Sequence, residues 1–320
     1  MKNNIFSIAI CALCVAISGI LLFSQTKPPQ SGIRTVVRID QENSHLGGGV
    51  AISPDGRMLA WVASDSRLHL RNIDTAQEKT LLEEASPGLD VFSNPEFSAD
   101  GKLILFSASG GTRYYPSNIF SIQLDGSGLR QLTQAKPLAE ENNNSPYAEY
   151  FQSAKESPDG MKILVGVYDS TAEKERVGLL DTNNKQVSYL ADGQPISWSS
   201  DNQEIYYTQD GSLRSVNLQT KESRILTSLN GRIVGADQGE FAIDQNGTSA
   251  LADLQDHSVS VHPWSVSLVA FVSQSQKNTS KATAEQLTLA SVKWSKTSRL
   301  VLNYQGDTME RIEVIENQAK

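Results

Sequence analysis

Four aspartates recur at matched places in this chain. Asp55, Asp100, Asp159 and Asp201 each follow a serine by two residues, Ser53, Ser98, Ser157 and Ser199. Recurring carboxylates are the raw material of metal binding and acid–base chemistry. In turns reading S-P-D-G, S-A-D-G and S-S-D-N, however, an Asp side chain accepts hydrogen bonds from its own backbone. The four also fall in separate repeats, so capping is expected rather than catalysis. His257 and His262, beside Asp253 and Asp256, are a second candidate, for metal. Their spacing matches no usual metal-ligand motif, and the region reads as strand. His45 and His69 are isolated and are expected at the surface or in packing. No G-x-S-x-G elbow, Walker loop or Rossmann fingerprint occurs. Trp61, Trp198 and Trp294 fall at strand positions and are expected to pack rather than to cage a ligand. The reading therefore nominates no catalytic residue, no metal site and no cofactor.

Binding chemistry is better represented. Three long polar segments are Ser107–Ser117, Gln134–Gln152 and Tyr168–Glu175. They carry Arg113, Tyr114, Tyr115, Tyr147, Tyr150 and Phe151, together with Glu140, Glu141 and Glu149. Tyr and Arg are the side chains that most often anchor protein interfaces, and connections beyond ordinary length are often functional. The candidate partner-binding residues are Arg113, Tyr114, Tyr115, Tyr147, Glu149 and Tyr150. A fourth long segment, Gln274–Gln286, is rich in Lys, Ser, Thr and Gln and reads as disordered.

The elements that must position these residues come from a repeat. An apolar residue, a Ser, a short turn and a β-rich run return six times, at Ser53, Ser98, Ser157, Ser199, Asp244 (in the Ser place) and Ser295. The intervals are 45, 59, 42, 45 and 51 residues. Short strands at that period predict an all-β fold, a six-bladed β-propeller. A seventh blade has room in Leu251–Leu289. In each copy the turn joins an inner strand to a second strand, and two more strands follow. The sixth copy ends one strand short, so Ile33–Ile39 is expected to close it as its outer strand and remove an open edge. In this architecture the links between second and third strands share a face with the links between blades. The three polar segments would then meet around blades two and three.

Net charge is −8, and only Lys2 is charged among the first 23 residues, leaving 27 bases against 36 acids. A phosphate-backbone binder needs a basic face, so nucleic acid is not an expected partner. Ile5–Phe23 is free of charge, behind a short polar start with Lys2. An N-terminal hydrophobic helix is expected there, with residues 1–23 acting as a signal peptide or an uncleaved signal anchor and 24–32 as a linker. Lys2 before the span favours an N-terminus in the cytoplasm and an exported body. Both cysteines, Cys11 and Cys14, lie inside that segment. Ile10 and Leu13 occupy the places where a lipoprotein needs a small residue. The exported body thus has no disulfide, Cys nucleophile or thiolate metal site.

The S-P-D-G turn, the apolar strand after it and a run ending in Leu-Thr resemble the WD40-like repeat of TolB-type β-propellers. The resemblance spans about residues 33–315. It is specific at Ser53–Gly56, Ser98–Gly101 and Ser157–Gly160, and weaker in the later copies. The third copy departs from it with Glu156, where an aromatic or aliphatic residue is usual. TolB-type proteins also carry an α/β domain before the propeller, for which the ten or so residues after the span leave no room. The propeller also resembles the exported sensor halves of membrane-spanning winged-helix regulators and the non-catalytic propellers of prolyl-oligopeptidase-like enzymes. These resemblances imply a periplasmic protein that binds other proteins. The expectation is a propeller over residues 33–320, tethered to the membrane through residues 5–23. If the source is a Gram-negative bacterium, it lies on the periplasmic face of the inner membrane. There it binds a protein partner as a non-catalytic scaffold or sensor; its oligomeric state is left open. Two alternatives stand beside it, a small-ligand or glycan sensor and a central-channel enzyme such as a lyase or lactonase.

Overall fold

A computed structural model describes residues 33–317, apart from 43–48, 64, 84–88, 90, 111–115, 143–144, 230, 246–247, 256–257 and 262–287. The expected N-terminal helix and linker, His45, His257 and His262 lie outside the described residues. Among the described residues no helix is long and apolar enough to cross a membrane.

Among the described residues every element is a strand. After β1 (Ile33–Glu42), the first sheet holds β2 (Val50–Ile52), β3 (Met58–Val62), β4 (Leu68–Asn72) and β5 (Glu78–Leu82). The second holds β6 (Val91–Phe97), β7 (Leu103–Ser109), β8 (Asn118–Gln123) and β9 (Arg130–Gln131). A two-stranded ribbon follows, β10 (Pro137–Asn142) and β11 (Ser145–Tyr147). The third sheet is β12 (Glu149–Glu156), β13 (Ile163–Asp169), β14 (Lys174–Asp181) and β15 (Gln186–Asp192). The fourth is β16 (Gln194–Trp198), β17 (Glu204–Gln209), β18 (Ser212–Asn217) and β19 (Ser223–Ser228). The fifth is β20 (Arg232–Asp237), β21 (Glu240–Gln245), β22 (Thr248–Gln255) and β23 (Ser258–Val261). The last is β24 (Thr288–Trp294), β25 (Arg299–Gln305), β26 (Met309–Asn317) and β1. Each sheet packs on the next, and β24 of the last touches β2 of the first. A closed ring of antiparallel four-stranded sheets is a β-propeller.

The ends of the chain meet as expected. Ile33 pairs with Asn317 and Glu42 with Met309, so β1 covers the edge of β26. Charge supports the join: Arg34 reaches Glu316 at 2.8 Å, and Arg38 reaches the fully buried Glu313 at 2.8 Å.

The core lies between neighbouring sheets, so second strands are buried on both sides and read as near-continuous apolar runs. β7 (LILFSAS) buries its five central residues. Phe106 stacks on Phe120 at 5.8 Å, and both belong to one cluster with Ala60, Leu68 and Leu70 of the first sheet. Trp61 and Trp198 are buried and Trp294 is partly buried against the core, as expected for packing residues. His69 stacks on Trp61 with ring centres 5.1 Å apart.

The serine turn is one device used repeatedly. Ser157 is completely buried; its hydroxyl donates to Asp159 at 2.6 Å and accepts from the Lys162 amide at 2.9 Å. Asp159 in turn accepts from the Met161 amide at 3.0 Å. The same pattern ties Ser53 to Asp55 and Met58, Ser98 to Asp100 and Leu103, and Ser199 to Asp201 and Glu204. Gly160 supplies the left-handed residue at φ +72°, a conformation that costs a Cβ-bearing residue. The recurring aspartates are therefore caps, as expected from their turns.

The fifth copy differs from the sequence reading. Asp244 is not in the Ser place: it lies in the second strand, β21, paired with Arg232 of the inner strand β20. The inner turn is instead the two-residue Gln238-Gly239, with φ +47° and +98°. Both residues are left-handed, as in a type I′ hairpin. The N-G pair taken for the repeat's turn falls between β21 and β22, where Gln245 pairs with Thr248. Two turn signals one strand apart were exchanged. Of Leu251–Leu289, with room for a seventh blade, the described residues hold the end of β22, β23 and the start of β24.

Candidate functional site

The inner strands β2, β6, β12, β16, β20 and β24 line a central cavity of about 320 Å³. Five of them carry a β-bulge partway along, with register breaks at Ser93/Glu96, Phe151/Ser153, Pro195/Ser197, Ile233/Gly235 and Leu289/Ser291. A bulge re-aims the residues that follow it. Here these include charged side chains from four sheets.

Lys293 of β24 donates to Glu96 of β6 at 2.5 Å. The other oxygen of Glu96 lies 3.9 Å from Lys155 of β12. Lys155 also pairs with Asp237 of β20 at 3.3 Å and donates to the Ala236 carbonyl at 2.8 Å. Its own strand is fixed by the Trp198 indole, which donates to the Lys155 carbonyl at 3.0 Å. Burial pushes the Glu96 carboxyl up, but the Lys293 and Lys155 ammoniums outweigh it and hold the group below its ordinary range. Burial likewise depresses Lys155, and Asp237 and Glu96 outweigh that and raise it. Glu96 and Lys155 are thereby favoured in their charged forms.

Sequence reasoning missed this cluster. A signal existed. Glu96, Lys155 and Lys293 each stand two residues before an anchor serine, where the other copies have Ala51 and Ser197. Asp237 belongs to the copy whose anchor was misplaced.

Beyond the cluster a narrower cavity of about 70 Å³ opens between the serine turns, lined by Glu156, Asp237 and Lys296 among others. Glu156 occupies the place that Ile52, Phe97, Trp198 and Trp294 hold in other sheets. Its carboxylate accepts from the Ala99 amide of the neighbouring sheet at 2.7 Å. Burial raises its pKa against that donation, and the charges of Asp100 and Asp159 raise it further.

The opposite end of the sheets carries three of the predicted partner-binding residues, Tyr147, Glu149 and Tyr150. Arg113, Tyr114 and Tyr115 lie outside the described residues, yet the bases of the three links do meet. The Phe151 amide donates to the Ser117 carbonyl at 3.0 Å. The Ser170 amide donates to Ala148 at 2.9 Å, and the Ser170 hydroxyl to the Tyr147 carbonyl at 2.6 Å. Three expectations need correction. The segment Gln134–Gln152 is not an open loop: it folds as the β10–β11 ribbon and then enters β12 at Glu149. The link Tyr168–Glu175 is a tight turn, because Asp169 ends β13 by accepting from the Thr171 and Ala172 amides. Glu149 is buried rather than displayed, and it accepts from the Tyr189 hydroxyl and from Lys136. Tyr150 pairs with Tyr168 within the sheet and is half-buried, as is Tyr147. The alternation of Glu149, Phe151 and Ala154 inward is the strand signal that the polar composition hid.

The fold and site define a β-propeller with a charged channel. Solved structures of similar form include TolB from Acinetobacter baumannii, at 16% identity and a TM-score of 0.49 over 86% of this chain. Another is the nidogen/laminin complex, at 12% identity and a TM-score of 0.49 over 66% of this chain. The chain spans 63% of the TolB chain and 77% of the other. No protein-family profile and no curated protein matches it.

Proposed function

We propose that this chain is an exported propeller of six blades, tethered by residues 5–23, that binds a protein partner on its link face without catalysing a reaction. The observation that carries the reading is the convergence of three links at Ser117, Tyr147–Ala148 and Ser170. In sequence the segment bearing Arg113, Tyr114 and Tyr115 leads into Ser117, and the segment bearing Tyr147 leads into Phe151, which bonds Ser117. Aromatic and guanidinium groups gathered on one face are the usual anchors of a protein interface. Six four-stranded sheets support the blade number, and the uncharged stretch Ile5–Phe23 supports export and tethering. The Glu96 carboxyl held low and the Lys155 ammonium held high support a non-catalytic body, since a general acid or base works best with a pKa near the operating pH.

The test is in-cell crosslinking and affinity capture of the full-length chain. A Tyr114→Ser/Tyr115→Ser variant should lose a specific partner that the unaltered chain retains. Met161→Ser, an exposed change in a serine turn at the other end, should keep it. Equal capture by all three proteins would overturn the assignment of the face.

A further inference from the structure

We propose that the wide end of the central channel is a binding site for a small organic carboxylate, a function independent of partner binding on the link face. The site is built from several sheets, as a ligand pocket should be. Its lining includes small residues from four sheets, Gly49, Ser153, Gly235 and Ser291. These leave an open volume of about 320 Å³, inside the range of about 300–1,000 Å³ that ligand cavities occupy. The space cannot close by ordinary side-chain growth at Gly235: a Cβ there would meet the Val292 carbonyl oxygen at 2.1 Å.

The charges are distributed unevenly along the axis. The wide cavity is lined by two ammoniums, Lys155 and Lys293, and one carboxylate, Glu96. The narrow cavity beyond shares Glu96 and Lys155 and adds two carboxylates, Asp237 and Glu156, against one ammonium, Lys296. The wide end therefore carries a surplus of one positive charge and the narrow end a surplus of negative charge. Lys293 is the residue placed to use that surplus. Its side chain keeps a third of its surface exposed, and its ammonium has three donors, one of which reaches Glu96. Lys155 is turned toward Asp237 and Ala236 and supplies field rather than a contact. A carboxylate entering from the wide end would take donors of Lys293 in a partly desolvated cavity, where a charge-assisted hydrogen bond is strong. A cation entering the same way would meet the two ammoniums.

Glu96 competes with such a ligand for Lys293, and this gives the proposal a signature that a merely structural cluster lacks. The probes are succinate, its neutral diamide succinamide, and the diamine putrescine, titrated by calorimetry and thermal shift into the full-length chain in detergent. Succinate should bind saturably, and the diamide and diamine should not. Lys293→Gln should weaken succinate at least tenfold, and Glu96→Gln, which frees Lys293, should tighten it by about threefold or more. Ser291→Phe should block the cavity and abolish binding with all four charges in place. Circular dichroism establishes that each variant is folded. The proposal is overturned if succinate does not bind, if it binds no better than putrescine, or if Lys293→Gln and Glu96→Gln shift affinity in the same direction.

Discussion

Two neighbouring registers at one end of the inner strands use charge in opposite ways. At the serine turns, Asp55, Asp100, Asp159 and Asp201 recur at one register, and each spends its carboxylate on its own hydroxyl and backbone. Two residues before each turn serine, the register recurs but the residue does not: Ala51, Glu96, Lys155, Ser197 and Lys293 share a place and differ in charge. These unlike residues meet across the channel, from sheets far apart in sequence. Repetition of residue type marks a part that each blade needs for itself. Variation at a repeated place marks a part that belongs to the whole ring.

This contrast can be broken by substitution. The largest effect is expected at Lys155. Lys155→Met leaves Glu96 and Asp237 without their shared ammonium, which should cost about 3 kcal/mol. That is the low end for a buried pair, since the Lys155 side chain retains 21% exposure. Urea unfolding monitored by tryptophan fluorescence measures it. The loss should depend on pH. The Glu96 carboxyl is held low in the folded chain, so its stabilisation is present above the ordinary carboxylate range and fades as pH falls through the lowered value. Wild type and variant should therefore converge in acid.

Next comes the turn serine. Ser157→Ala removes one hydroxyl that serves both Asp159 and the Lys162 amide in a fully buried place, at a cost of about 2 kcal/mol. Asp159→Ala, at the exposed end of the same turn, should cost less than Ser157→Ala in the same assay. If the order is reversed, the turn depends on its charge rather than on the buried hydroxyl.

The smallest effect sharpens the comparison, because Glu156 breaks the rule by putting a charge where other copies pack an apolar group. Its folded pKa is raised, so the favourable contribution is complete below the ordinary glutamate range and is lost as pH rises through the raised value. Glu156→Gln keeps an acceptor for the Ala99 amide without the charge. It should be slightly more stable than the unaltered chain at neutral pH, and equal to it below the ordinary range. Thermal melts across that interval check the sign.

Much of the ring was legible because its signals are local. A serine turn followed by an apolar run is contained in about a dozen residues, and it located β2–β3, β6–β7, β12–β13 and β16–β17. The closing strand was legible from a count, since the last copy lacked a strand and Ile33–Ile39 supplied one. What failed was also physical. Asn246-Gly247 resembles the inner turn, but the chain makes that turn with Gln238-Gly239, whose sequence is weaker. Glu149–Gln152 looks like loop by polarity, yet Phe151 is 2% exposed and holds the segment in β12. The channel cluster required knowing which inner residues face one another across the ring, and the bulges that aim them leave no mark in composition.

The central claim is that the link end of the propeller, and not the serine-turn end, meets a protein. The most direct measurement replaces one residue at a time with a photo-crosslinking phenylalanine in the full-length chain in cells. Tyr147 reports on the link end, Tyr115 on the segment between β7 and β8, and Met161, 82% exposed, on the serine-turn end. The account predicts a discrete adduct of the same mass from Tyr115 and Tyr147 and none from Met161. An adduct from Met161 alone, or none from either link position, would contradict it.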